Sequence, residues 1–320
     1  MTLALGFLVK QPGVLSLIQD AGRFGACHLG VSNGGPIDCE AFHWANRLCG
    51  NELGVSSIEV SIGGLILFAQ IDTIIAITGA NMPLTINGQA KPLWRSYHVN
   101  AGDCIKLGYA SEGVRCYIAV YGGFTVPPVF GSSATVCREN IGGLSGGKLA
   151  VGDIIPYEKK LEVSDIKTLK LPEEYWPNYT RDLILRTIAS YQQQLFSSQQ
   201  QRLFFSTEFT VSKNCDRMGY RLEGPRISSD VDGILSEGIC QGAIQIPTDG
   251  QPIVLMNDRQ TIGGYPKIGS VISLDTSKLG QLSQGAKVRF ESVSMERAND
   301  IYHFALNSFK CTNLITCDKP

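Results

Sequence analysis

The chain has 320 residues, which is long enough for two domains with sizeable hydrophobic cores. Its 28 basic and 29 acidic residues give a formal net charge of −1, and neither sign forms a long run. Nucleic-acid and membrane surfaces are bound through a concentrated basic face, so this balance argues against both kinds of partner. The apolar start is too short for a secretory signal, and no window of about 18 apolar residues follows, so a cytoplasmic protein is expected.

Most of the chain predicts short strands separated by turns. The first stretch, MTLALGFLVKQPG (1–13), is expected to form an edge strand, and TIIAIT (73–78) a buried strand. Asn87-Gly88, between alternating flanks, is the strongest short signal for a hairpin. Many short strands at regular spacing favour a mainly β fold over alternating β–α–β units.

Three helices are predicted. The first has Asp38 as its N-cap and Gly50 as its stop. Its buried face is formed by Ala41, Trp44, Ala45 and Leu48. The second lies within residues 197–205, and the third begins at about Ser294.

The chain divides into two predicted β-rich subdomains. Residues 158–181 are richer in charge and proline than their surroundings and form the candidate link. The predicted N-terminal subdomain is 1–160, and the predicted C-terminal subdomain, which ends with the third helix, is 161–320.

The glycine-rich segment IGGLSGGKLAVGD (141–153) contains the spacing of two catalytic motifs. Gly142 to Lys148 matches the G-x-x-x-x-G-K of a phosphate loop, and Ser145 is the centre of a G-x-S-x-G. A phosphate loop needs Ser or Thr after the lysine and then a helix, but Leu149 follows here. A nucleophile elbow needs a strand, a sharp turn and a helix, which this segment also lacks. It is therefore predicted to be a connection between strands.

Charged, amide and phenolic side chains are concentrated in residues 237–275. An apolar strand runs into NDRQT (257–261), GGYPK (263–267) follows, and a second apolar strand comes next. Such crowding of charged, amide and phenolic groups between two core strands favours a binding or catalytic site. The alternative is a salt-bridged hairpin in which Asp258 is neutralised by Arg259 or Lys267.

Two further segments have the same character. NCDRMGYRLEGP (214–225) places Arg217 at a turn, and IQDAGRFGACHLGVSNGGPID (18–38) places Asp20 near Arg23. For Asp20, a role in binding and a local pair with Arg23 that holds the loop are equally compatible with the sequence.

These segments, together with ITGANMPLTINGQ (77–89) and DGQPIVLMNDRQTIGGYPKIG (249–269), resemble the biotin-dependent carboxyltransferase family. This family is also called allophanate hydrolase subunit 2, or the Kip inhibitor antagonist family. The resemblance extends from about residue 8 to residue 293. It implies a mainly β protein of two β-rich, cyclophilin-like barrel subdomains with a few short helices and a functional cleft between them.

The resemblance implies several activities. One branch of the family resembles the C subunits of ATP-dependent 5-oxoprolinases, which open the lactam of 5-oxoproline to L-glutamate together with A-like and B-like (Kip inhibitor-type) subunits. A second branch resembles the carboxyltransferase part of urea carboxylase, which uses carboxybiotin on urea or another amide. A third alternative is a regulatory antagonist that binds a Kip inhibitor-like protein. The first branch is preferred, because the sequence has no lysine in an A-M-K-M biotin-attachment setting.

The first two activities share a recognition problem, because each substrate presents an N–H beside a C=O. Asp258 is predicted to take up or orient the amide proton, and Lys267 or Arg259 to hold the oxygen. Predicted substrate-binding residues are Gln245, Gln260, Tyr265, Gly264, Arg217 and Asp20. No covalent cofactor and no metal are expected, and the ATP of the reaction is expected to bind a partner protein of the complex.

Overall fold

The protein is described by a computed structural model that covers residues 5–158, 166–179 and 181–317. Its α-helices are α1 (Cys39–Leu48), α2 (Ser198–Ser206), α3 (Ser273–Leu279) and α4 (Met295–Cys311). Its first strands are β1 (Gly6–Pro12), β2 (Leu15–Gln19), β3 (Ser57–Ser61), β4 (Leu65–Ala69), β5 (Thr73–Asn81), β6 (Leu84–Ile86), β7 (Gln89–Lys91), β8 (Arg95–Val99), β9 (Cys104–Leu107), β10 (Glu112–Val120) and β11 (Ile154–Pro156). The remaining strands are β12 (Thr168–Lys170), β13 (Asp182–Ala189), β14 (Glu208–Cys215), β15 (Gly219–Glu223), β16 (Glu237–Gly238), β17 (Ala243–Gln245), β18 (Ile253–Leu255), β19 (Ile262–Gly263), β20 (Lys267–Val271), β21 (Lys287–Val293) and β22 (Ile315–Cys317).

The chain forms two compact units. The first contains the described residues within Met1–Phe24, Gly34–Tyr179 and Asn313–Pro320, and the second those within Gly25–Asn33 and Thr180–Thr312. The first unit has a six-stranded sheet, in the order β11-β1-β4-β9-β6-β7, and a seven-stranded sheet, in the order β2-β3-β10-β5-β8-β12-β22. The second unit is built on a closed barrel, in the order β13-β20-β17-β18-β15-β14-β21, to which a small β16–β19 pair is added. The mainly β fold is confirmed.

Two predictions for the first unit that depend only on neighbouring residues are confirmed, the Asn87-Gly88 hairpin and the start of α1. Asn87 and Gly88 have φ values of 52° and 77° and join β6 to β7, as a two-residue hairpin turn of the primed type requires. Helix α1 begins after Asp38, whose carboxylate accepts a hydrogen bond from the Ala41 amide at 3.0 Å. All four residues of its predicted inner face are buried.

One local prediction is wrong, and one helix was missed. Strand β1 is not an edge strand, because it pairs with β11 on one side and β4 on the other. The short β11, which follows the glycine-rich segment, is the strand that covers it. Helix α3 was not expected, because the apolar residues of β20 run directly into it and Ile272, its N-cap residue, makes no side-chain capping bond.

The glycine-rich segment is a packed turn, as predicted. No helix follows Lys148 directly, and the chain continues into β11. Gly142 has a φ of 73°, and a Cβ at this position would lie 1.9 Å from the carbonyl oxygen of Ala134. The glycine is therefore needed for a close approach of two backbone segments, which explains the segment without a phosphate ligand.

None of the helices in the described part of the chain combines the length and apolar character needed to cross a membrane.

Candidate functional site

The polar block lies on the barrel of the second unit. Strands β18 and β20 flank β17, and residues 257–266 join the end of β18 to the start of β20. Gln245, the last residue of β17, pairs with Lys267, the first residue of β20. At the other end of β17, the amide of Gly242 donates to the carbonyl of Leu255 at 2.7 Å. The predicted residues near the two ends of β17 therefore form two groups, which the length of this strand, about 10 Å, separates.

The first group, called the Lys267 group, contains Tyr191, Gln192, Glu237, Gln245 and Lys267. The ammonium of Lys267 forms an ion pair with Oε1 of Glu237 and lies 5.9 Å from the ring centroid of Tyr191. Gln192 donates from Nε2 to the same Oε1 at 2.7 Å and accepts from the Lys267 amide at 2.9 Å. The Tyr191 hydroxyl also donates to Glu237 Oε1. Lys267 is buried, so this cluster fixes its position.

The two carboxylate oxygens of Glu237 differ in their hydrogen bonds. Among the described residues, every hydrogen bond to its side chain reaches Oε1, and none reaches Oε2. The bond from Lys267, followed by that from Tyr191, lowers the pKa of the Glu237 carboxyl. The carboxylate is therefore ionised at neutral pH, with Oε2 available as an acceptor.

Gln245 supplies an open donor beside it. Its Nε2 is buried and has no hydrogen-bond acceptor among the described residues. A Cβ on Gly263 would lie 2.5 Å from this Nε2, and Gly263 pairs with Glu237 in the β16–β19 ladder. The unpartnered Gln245 Nε2 thus lies beside Gly263, and the ladder partner of Gly263, Glu237, has an oxygen that accepts no hydrogen bond from the described residues. Such a pair matches a ligand edge that presents a C=O beside an N–H.

The second group is a buried ion pair between Arg217 and Asp258. Arg217 donates from Nε to Oδ2 of Asp258 at 2.9 Å and from Nη2 to Oδ1 at 2.8 Å. The Asp258 amide donates to the Arg217 carbonyl at 2.8 Å, so backbone and side chains hold the same contact. The two residues are 6% and 5% exposed, respectively. Bidentate, charge-assisted bonds of this kind are strong and directional.

Arg259 is held separately, by groups that the sequence did not single out. Its Nε donates to the Ile239 carbonyl at 3.1 Å, and its Nη2 donates to Oδ1 of Asn33 at 3.0 Å. Ser32 Oγ donates to the Arg259 carbonyl at 2.8 Å. Burial lowers the pKa of the Arg259 guanidinium. The stretch Gly25–Asn33 therefore anchors this arginine within the second unit.

The salt-bridged hairpin considered from the sequence does not form as expected, because its charged residues pair with other partners. Within the described residues, Asp258 pairs with Arg217, and Lys267 pairs with Glu237. Of the other block residues, Gln260 and Tyr265 are exposed, and the Gly264 carbonyl accepts from the Ile234 amide at 2.8 Å.

Asp20 belongs to the first unit, where it holds a loop. Its carboxylate accepts from Ser132 Oγ and from the Ser133 amide, each at 2.6 Å. Arg23 is fully buried and donates to the carbonyls of Val129 at 2.8 Å and Ala134 at 2.9 Å. The local pair between Asp20 and Arg23, one of the two alternatives left open by the sequence, is absent from the described residues, and each side chain holds the 129–134 segment separately.

Sequence reasoning missed Tyr191, Gln192 and Glu237. Glu237 stands at the start of the polar block but has no neighbouring pattern that distinguishes it from a surface acid. Tyr191 and Gln192 follow β13 in a polar stretch, and the pairing of β13 with β20 brings them to Lys267. Only a prediction of strand order in the barrel would have identified them.

The class of the protein is defined by a family model. The model described as carboxyltransferase domain, subdomain A and B, matches residues 29–292. The chain belongs to this family, and the resemblance inferred from its motifs is confirmed.

Several known proteins are similar to the chain. It is 37% identical to the C subunit of 5-oxoprolinase from Haemophilus influenzae, over 89% of this chain and 92% of that protein. It is 35% identical to the C subunit of 5-oxoprolinase from Escherichia coli, over 91% of this chain and 92% of that protein. The crystal structure of K. lactis urea amidolyase superposes with a TM-score of 0.90 and 26% identity, over 97% of this chain and 20% of that chain.

The Glu237 carboxylate is expected to give the protein a specific acid sensitivity. Because its pKa is lowered in the folded state, its stabilising contribution is present above the ordinary glutamate value of about 4.3 and is lost as pH falls through the lowered pKa. Glu237→Gln removes this contribution. Urea unfolding between about pH 6 and pH 3 should therefore show a smaller loss of stability for Glu237→Gln than for the wild type. The exposed Glu223→Gln serves as control, and equal pH slopes for all three proteins would contradict the assignment.

Proposed function

We propose that this chain acts as the C subunit of an ATP-dependent 5-oxoprolinase, in which it binds and activates the lactam of 5-oxoproline for hydrolysis to L-glutamate. Two relatives with this name match it over nearly the full length of both proteins. The observation that carries the proposal is that Gln245 Nε2, which lies beside Gly263, and Oε2 of the ladder partner Glu237 have no hydrogen-bond partner among the described residues.

The lactam edge fits this pair in one orientation. The ring N–H donates to Glu237 Oε2, and the carbonyl oxygen accepts from Gln245 Nε2 and from the Lys267 ammonium. Lys267 has three donor hydrogens, of which the ion pair with Glu237 uses one. As negative charge develops on the oxygen, each well-placed hydrogen-bond donor stabilises the transition state by about 3–4 kcal/mol. The hydrogen bond from the ring N–H to the Glu237 carboxylate is what makes the amide oxygen a better nucleophile, while the two donors hold that oxygen in place. The oxygen attacks the γ-phosphoryl group of ATP as the N–H proton passes to Glu237 Oε2, and the new O–P bond forms as the bond to ADP breaks.

This assignment moves the acceptor role from Asp258 to Glu237. The N–H and C=O of a lactam are adjacent, whereas the ladder places Asp258 and Lys267 at opposite ends of β17. The direct roles predicted for Asp258 and Arg259 stay predictions. The ATP is assigned to a partner protein of the complex, since the glycine-rich segment of this chain is a packed turn.

The reaction itself tests the proposal. Glutamate release is measured from 5-oxoproline and ATP with the chain and A-like and B-like subunits, leaving out each component in turn. Loss of activity without this chain supports the assignment, and full activity without it overturns the assignment.

Gly263 offers a test of the geometry. Gly263→Ala places a methyl group against Gln245 Nε2, at 2.5 Å, and against Cδ1 of Ile239, at 2.7 Å. We expect the amide to be displaced and KM for 5-oxoproline to rise at least about tenfold. Gly238→Ala is the matched control, because its Cβ would have no neighbour within 4 Å. Equal effects of the two substitutions would count against the site.

Gln245 offers a second test, which combines stability and activity. Gln245→Met keeps the length of the side chain and removes a buried donor that has no acceptor among the described residues. We expect the free energy of unfolding to rise by about 1 kcal/mol and the rate of glutamate release to fall about 100-fold. In Gln241→Met, which loses a 3.0 Å bond to Asn257 Oδ1, stability should fall instead. A Gln245→Met protein with lower stability and full activity would show that the amide has only a structural role.

A carboxyltransferase acting on urea or another amide is the second candidate. The superposition on urea amidolyase favours it, and the same donor and acceptor fit the edge of urea. Dependence of product formation on a biotinylated carrier protein separates this activity from oxoprolinase activity, which needs no carrier.

A further inference from the structure

A pocket in the first unit is lined by none of the barrel residues that carry the proposed function. Its volume is about 390 Å³, within the range of small-molecule sites, and it opens where β8, β12 and β22 lie side by side. Two indole rings, two basic side chains and two acidic side chains are among the groups that line it. Each of these features bears on the ligand.

The basic groups are Arg95 and Lys170. They are direct partners in the β8–β12 ladder, so their side chains leave the same face of the sheet, where like charges repel. Within the described residues, neither forms an ion pair or a side-chain hydrogen bond, and Nε of Arg95 is buried without an acceptor. The Arg95 guanidinium lies 5.0 Å from the ring centroid of Tyr97, which orients it. An anion in the pocket, bound by the Arg95 guanidinium and the Lys170 ammonium, relieves this repulsion.

The indole rings are those of Trp94 and Trp176. They stack with centroids 6.2 Å apart and an interplanar angle of 28°. Nε1 of Trp176 donates to the Leu171 carbonyl at 3.0 Å, which fixes the ring while 36% of the residue stays exposed. A flat ring can therefore be placed against an aromatic wall that is already ordered.

The backbone at Trp94 is strained. Its φ of 59° is left-handed, which is uncommon and unfavourable for a bulky residue. Bonds from its amide to the Ile77 carbonyl at 2.8 Å, and from the Leu171 amide to its carbonyl at 2.9 Å, hold this conformation. Strain of this kind concentrates at ligand-binding positions.

We propose that this pocket binds a small molecule in which a flat, amino-substituted ring is joined to an anionic group. The anion lies on Arg95 and Lys170, and the ring lies along Trp176. Glu173 and Glu174, which also line the pocket, accept hydrogen bonds from the ring amino group. A mononucleotide and an aminobenzoate both have this chemistry.

Calorimetric titration of the full chain, without the other proteins of the complex, tests the proposal. The probes are AMP, 4-aminobenzoate and inorganic phosphate. We expect at least one of the first two to bind with a Kd between about 10 µM and 1 mM, and phosphate to bind at least about tenfold more weakly. Binding of AMP alone identifies a phosphorylated ligand, and binding of 4-aminobenzoate alone a carboxylate. Absence of binding by both, or equal binding of phosphate, overturns the proposal.

Variants locate the site. Arg95→Gln should weaken binding at least about tenfold, and Lys106→Gln, on an exposed position of β9, should leave it unchanged. Trp176→Leu should weaken it as well, and thermal unfolding shows that each variant is folded. Lys267→Met should bind the probe as the wild type does. Unchanged affinity in both Arg95→Gln and Trp176→Leu, or loss of binding in Lys267→Met, would place the ligand elsewhere.

Discussion

Lys267→Met is expected to lower the rate of glutamate release by the complete complex about 100- to 1,000-fold. The ammonium is the only charged donor in the Lys267 group, and the group holds it beside the open amide of Gln245. Methionine keeps an unbranched apolar side chain and removes the ammonium, which lies 5.9 Å from the ring centroid of Tyr191. The loss should therefore appear in kcat more than in KM, since the charge acts on an oxygen that becomes anionic during the reaction.

The variant should fold normally. Glu237, which loses its partner, has a side chain that is 35% exposed, so water can solvate the carboxylate in place of the ammonium. Partly exposed pairs contribute about 1 kcal/mol or less, so thermal unfolding of Lys267→Met should stay close to that of the wild type. Lys213→Met, on an exposed position of β14, is the matched control. A Lys267→Met complex that assembles and retains more than about a third of wild-type activity would remove Lys267 from the mechanism.

The parts of the fold that the sequence predicted are those that depend on neighbours in the chain. The α1 N-cap at Asp38 and the Asn87-Gly88 hairpin are local, and both form as expected. Helix α3 was missed because the apolar residues of β20 and Ile272 run directly into it, and Ile272 offers no side-chain N-cap to mark where the helix begins. The position of β1 inside its sheet was missed because its neighbour β11 is far away in sequence.

The candidate site was predicted in part for the same reason. Gln245 and Lys267 were both selected from the sequence, and the β17–β20 ladder places them opposite each other. Their partner Glu237 reaches Lys267 only through the β16–β19 pair, which two strands of two residues form. Conversely, Asp258 and Lys267 are close in sequence, but the strand order separates them. Residue type selected the side chains of the block, whereas the barrel topology determined which of them meet.

The Arg217–Asp258 pair is expected to have the largest effect on stability. Asp258→Ala removes two charge-assisted bonds from a guanidinium whose side chain is only 7% exposed. Breaking a buried pair by removing one partner costs about 3–5 kcal/mol, because the remaining charge stays in a poorly solvated place. Urea unfolding of the chain alone measures this loss. In the matched control Asp249→Ala, whose partner Arg221 is 27% exposed, the loss should be about 1 kcal/mol or less.

The double variant Arg217→Met with Asp258→Leu separates stability from chemistry. Apolar residues of similar volume can replace a buried pair at little cost, so the double variant should recover most of the stability that Asp258→Ala loses. If the pair only holds the loop after β18, the stable double variant should also retain activity within about tenfold. If Asp258 instead accepts the substrate N–H, as predicted from the sequence, the double variant should be stable and inactive. That outcome would return the acceptor role from Glu237 to Asp258, whereas a stable and active protein would leave Glu237 as the acceptor.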